Sequence, residues 1–164
     1  LKGHCHEPRT TPRKRIQNSA APYQPDYSAQ FRVLQMCRPY DPEDVQSEIV
    51  ETRTAYERLR TGHGTERDFD LVSMMLNAIL IRAEQIDPLL VETVSRGQMA
   101  MVRMQDRYKR GLALGVDGQG VSEIPDALDV YEAVTLASSP AQMVFAIKEA
   151  YRRVSNGDVL GVMQ

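Results

Sequence analysis

The sequence predicts an all-α fold: an antiparallel bundle of four to five helices behind a basic, proline-containing N-terminal arm. Three observations carry this prediction. Asp41-Pro42, Asp87-Pro88 and Ser139-Pro140 each set a capping side chain directly before a proline. Apolar residues from position 41 onward recur with a helical period, and no stretch alternates with the period of two that a half-buried strand shows.

The cap-proline pairs are start signals because the cap oxygen accepts an orphan N–H, and proline brings no N–H needing a partner. Thr65 with Asp68 marks a fourth start and Ser122 near Pro125 a fifth. Stops fall at Gly62, Gly111 and Asn156-Gly157, where a left-handed residue is tolerated. The implied helices span about 42–60, 65–86, 88–110, 122–137 and 140–155. The first lines up Val45, Ile49, Thr52, Tyr56 and Leu59 on one face. The second is apolar over most of its circumference, with Asp70, Ser73, Asn77 and Glu84 as a polar wedge and Ile86 on its inward face. Such a helix is expected at the centre of the bundle. The third faces inward with Leu90, Val94, Gly97, Met101, Met104 and Tyr108, the fifth with Val144, Ile147, Tyr151 and Val154. The organisation expected is an extended basic arm over 1–40, a helical bundle over 41–157 and a tail over 158–164.

At 164 residues with 42% hydrophobic and 26% charged residues, the chain suits one domain that buries a core unaided. The net charge of −2 conceals an asymmetry: seven Lys/Arg against two acids in residues 1–40, and 13 bases against 20 acids thereafter. A basic arm on an acidic body points to contact with something anionic. Two cysteines, Cys5 and Cys37, make no disulfide framework. With no secretory h-region and no apolar run of roughly 18 residues, the expectation is a soluble, cytoplasmic protein without membrane contact.

The chemistry is sparse. His4, His6 and His63 lie outside the helix bodies, which leaves no Glu-x-x-His or His-Glu-x-x-His metal pair. Nucleophilic catalysis would need a base held by the fold, and only His63, in a turn between Gly62 and Gly64, is placed to serve. His4-Cys5-His6 with Cys37 matches no zinc-site spacing. The loop from Gly115 to Gly120 fits neither nucleotide fingerprint, and no Lys-Ser/Thr follows it. No enzyme activity, cofactor or metal is therefore expected.

Two patterns point to contacts instead. Arg13-Lys14-Arg15 in the arm, with Arg96, Arg103, Arg107 and Arg110 along one side of the third helix, are candidate nucleic-acid contacts. Met74 and Met99, pointing away from the main apolar faces of the second and third helices, are candidates for a partner groove, since methionine adapts to varied surfaces.

Asp106-Arg107-Tyr108-Lys109-Arg110-Gly111, a Gly-rich link and Ala127-Leu128-Asp129-Val130-Tyr131-Glu132-Ala133 form a pattern. Together with the basic, Pro/Tyr-containing arm, it resembles a group of small, uncharacterised helical proteins encoded on phages, plasmids and integrated elements of proteobacteria. The resemblance runs over residues 12–155 and is most specific at 104–132. It implies a helical fold and a mobile-element context, and no mechanism. The expected function is a non-enzymatic protein–protein interaction or regulatory factor of a mobile genetic element. The alternative is an accessory nucleic-acid-binding protein using the arm and the arginine stripe. An unidentified protein partner is expected, nucleic acid is the alternative partner, and self-association stays open.

Overall fold

A computed structural model describes residue 32 and residues 34–157, so the Arg13-Lys14-Arg15 cluster and the tail over 158–164 lie outside the described residues. The described residues are all-helical and form a bundle. After helical turns at residues 34–36 come α1 (Pro42–Arg60), α2 (Glu66–Ala83), α3 (Pro88–Lys109), α4 (Gly120–Leu136) and α5 (Pro140–Asn156).

The starts form where capping chemistry places them. Asp41 accepts from the Glu43 N–H at 3.1 Å and Asp87 from the Leu89 N–H at 2.8 Å. Ser139 and Gln142 form a reciprocal capping box on α5, as Thr65 and Asp68 do on α2. The fourth helix begins earlier than Ser122. Its first N–H, from Gly120, is taken at 2.6 Å by the Asp117 carboxylate, reaching forward from the loop. Gly62, Gly111 and Gly157 all stand at positive φ, between 76° and 83°, and end their helices.

α2 touches all four other helices and is the hub of the bundle. Val72, Leu76 and Ile79 are fully buried in it, packed in one cluster with Val45, Ile49, Tyr56 and Leu59 of α1, Val94, Met101 and Met104 of α3, and Ile124, Leu128 and Tyr131 of α4. Neighbours run antiparallel: Asn77 meets Gln98 midway along α2 and α3, and Glu66 meets Tyr108 at their far ends. Arg58 pairs with Asp68 across the α1–α2 turn, and Arg103 with Glu123 across α3 and α4.

Four expectations about faces are corrected. Ser73 and Asn77 are buried, not part of a solvated wedge, because α3 covers that side; Gln98 Nε2 donates to Asn77 Oδ1 at 2.7 Å. Ile86 is exposed because α2 stops at Ala83. Tyr108 is exposed beyond the core, its hydroxyl donating to Glu66 at 2.9 Å. Finally, α5 buries Met143, Ala146 and Ala150, and leaves Val144 and Tyr151 exposed.

Asp68 joins two elements. Its buried carboxylate accepts from Arg58, from the Thr65 N–H at 2.9 Å and from the Thr65 hydroxyl at 2.8 Å. Arg58 above all holds its pKa down at about 2, against an ordinary 3.8. A depressed carboxylate stabilises the fold fully above its unfolded pKa, and that share is lost as pH falls through the folded value. Stability is thus expected to drop between about pH 4 and pH 2, by the proton Asp68 takes up on unfolding. Denaturant melts across this range should show the drop in the wild type and a shallower one in Asp68→Ala. At pH 7 the variant should lose about 1–2 kcal/mol with its capping bonds. Parallel acid limbs for the two proteins would refute the assignment.

Candidate interaction surface

α5 leaves its largest apolar side chains, Phe145 and Tyr151, outside the core. It docks on α2 through small residues: Ala146 and Ala150 meet Ala78 and Ile81, with Met74 and Ile147 packed alongside. Its position is fixed at both ends. Before it, buried Arg82 of α2 donates through Nε to Ser138 at 3.1 Å. Near its C-terminus, Arg153 grips both carboxylate oxygens of Glu84 at 2.7 and 2.8 Å. A second apolar stripe, Val144, Ile147, Tyr151 and Val154, lies about 90° round the helix from the buried one, at 100° per residue. Val144 is 39% exposed and Tyr151 56%, while Ile147 and Val154 are half-buried.

The stripe runs into a cleft. Pro140, in line with it, lines an open trough of about 980 Å³ together with Arg32, Met36, Arg38, Pro39 and Tyr40. Tyr40 anchors the segment before α1: its N–H donates to the Ser138 carbonyl at 3.2 Å and its ring packs on the core. Burial and nearby Glu48 push its hydroxyl pKa up. Cys37, exposed and free, sits in the same segment.

The four arginines of the α3 stripe differ in their partners. Arg103 is clamped between Asp117 at 2.8 Å and Glu123 at 2.6 Å, and Asp117 is held below its usual pKa chiefly by that contact. Arg107 donates to the Gly115 carbonyl at 3.4 Å, Arg110 to the Asp106 carbonyl at 3.1 Å, and Arg96 pairs with Glu92 at 3.1 Å. Arg103 and Arg107 tie the 111–119 loop to α3. Arg103→Ala is expected to free this loop, speeding amide exchange at 111–119, and to cost about 1–2 kcal/mol. Retention on nucleic acid should not change. A loss of retention with unchanged exchange would restore Arg103 as a phosphate contact.

Met74 and Met99 are not brought together. Met74 is half-buried under α5, whereas Met99 is 44% exposed on the side of α3 opposite its buried face. Among the described residues no three His, Cys, Asp or Glu side chains converge as a metal site, and His63 is exposed. No helix among the described residues is long and apolar enough to cross a membrane.

The exposed part of the α5 stripe was missed because its period reads as a core face. The sign that α5 has two faces is Met143, Ala146 and Ala150, a second apolar set at its own helical spacing in which two residues are small. Compared with family models, curated proteins and solved structures, the chain matches none.

Proposed function

We propose that this chain is a non-enzymatic protein–protein interaction or regulatory factor of a mobile genetic element, and that α5 presents its partner surface. The observation that supports this most is the apolar stripe of α5, whose Val144 and Tyr151 stay exposed while alanines take the inward positions. Scattered single apolar residues on a surface need no explanation, but residues in helical register beside a cleft form a continuous patch. The mobile-element context rests on the sequence resemblance at 104–132. Nucleic-acid binding is the second reading; it rests on Arg13, Lys14 and Arg15 of the arm with Arg96, Arg107 and Arg110 of α3, since Arg103 is already paired with two carboxylates.

Affinity capture with the tagged chain from lysate of the source cells tests both. The expected result is a protein partner that survives nuclease treatment and rising salt and is lost with Tyr151→Glu. Capture that disappears on nuclease treatment, or weakens steeply with salt, would favour the second reading.

A further inference from the structure

We propose that the α5 stripe and the cleft at its N-terminal end seat one amphipathic helix of a partner protein, its apolar seam flanked by acidic residues. The inference rests on the interaction reading above and specifies the chemistry of the partner. Pro140, Val144, Ile147, Tyr151 and Val154 are spaced four, three, four and three apart, as in the a/d seam of paired helices. From Pro140 to Val154 the seam is about 21 Å long, at 1.5 Å per residue, which two to three heptads of a partner would cover. One side of the seam is bedded on α2 through Ile147, and the other is open at Val144 and Tyr151.

The open border is positive. Exposed Lys148 lies on the outer flank of the seam, and exposed Arg32 and Arg38 line the cleft at its end. None of the three is in an ion pair with a described residue. Asp41, also in the cleft wall, directs its carboxylate to the Glu43 N–H. Acidic flanking residues on the partner would complement this border and set its orientation. A second copy fits less well. Lys148 lies at the middle of the seam, so a two-fold antiparallel pairing of α5 would set it against its own copy. Phosphate chains gain nothing from an apolar seam.

The test uses the purified full chain and labelled 21-residue synthetic helices with Leu at a and d. One carries Glu at e and g, the other Lys. Fluorescence anisotropy should show the Glu-flanked helix binding at least about tenfold more tightly. Tyr151→Glu should weaken it by at least about tenfold, and Lys148→Glu should abolish or reverse the preference for Glu. Both positions are exposed, and unchanged melting curves would establish that the variants fold. Equal binding of the two helices, or none, overturns the proposal. So does a dimer in sedimentation that Tyr151→Glu dissociates, which would make the occupant a second copy. Tenfold tighter binding on removal of residues 158–164 overturns it too, by making the chain's own tail the occupant. If lysate capture is lost with Tyr151→Glu while no Glu-flanked helix binds, the interaction reading stands and this partner chemistry falls. If capture is indifferent to Tyr151→Glu, α5 is not the surface.

Discussion

Truncating Leu76 or Ile79 to alanine is expected to lower the unfolding free energy by about 2–5 kcal/mol, measured by denaturant titration. Both side chains are fully buried in α2, the helix that touches every other one. Each truncation removes packed methylenes at a junction of three or more helices, where collapse of one neighbour onto the gap would open another. The lost transfer energy is then joined by a cavity penalty. Against a typical total of about 5–15 kcal/mol, one such change is a large fraction. Met74→Ala should cost less than Leu76→Ala, because Met74 is half-buried between α2 and α5, outside the main cluster. Losses of similar size would make Met74 core filling and remove any reason to treat it as part of a partner surface.

The helices were legible in the sequence because their termini carry chemistry that needs no tertiary context. Asp41, Asp87 and Ser139 cap through their own side chains, and Gly62, Gly111 and Gly157 stop helices through positive φ. The inward face of α1 was equally plain, since one neighbouring layer demands one stripe. Where a helix has two apolar stripes, period alone cannot say which one is covered. In α5 the stripe of larger residues suggests itself as the core, yet Ala146 and Ala150 allow the closer approach to Ala78 and are the ones buried. Polar residues mislead for a related reason. Asn77 and Gln98 are far apart in sequence, and only the α2–α3 contact makes them partners. Arg103 likewise looks free until the loop brings Asp117 back onto α3. The cleft was not legible at all, because its lining comes from residues 32, 35, 36 and 38–42 and from Pro140, about a hundred residues later in the chain.

Gly97→Ala is expected to destabilise the protein by about 1–3 kcal/mol, although a helix interior ordinarily prefers alanine by about 1 kcal/mol. Gly97 lies inside α3, directly against α4. A Cβ there would stand 2.5 Å from the Ala127 Cβ, 3.3 Å from the Glu123 carbonyl oxygen and 3.6 Å from Leu76 Cδ1. Carbon atoms in good contact sit at roughly 3.5–4.0 Å, so about 1 Å must be found. Rotamer changes cannot supply it, because the Ala127 methyl has no torsion that moves it aside. The helices themselves have to separate, which loosens the packing around fully buried Ile124 and Leu128 and pulls on the Arg103–Glu123 pair at 2.6 Å. Gly97→Val should cost more than Gly97→Ala, since its extra methyls meet the same wall. The decisive measurement is a double-mutant cycle with Ala127→Gly. Alone, that change should cost about 1 kcal/mol through helix propensity and lost packing. In the Gly97→Ala background it removes the obstructing methyl and should recover stability, giving a coupling of opposite sign to either single effect. Additive losses in the cycle, or a Gly97→Ala variant as stable as the wild type, would show that the α3–α4 approach is not what requires glycine here.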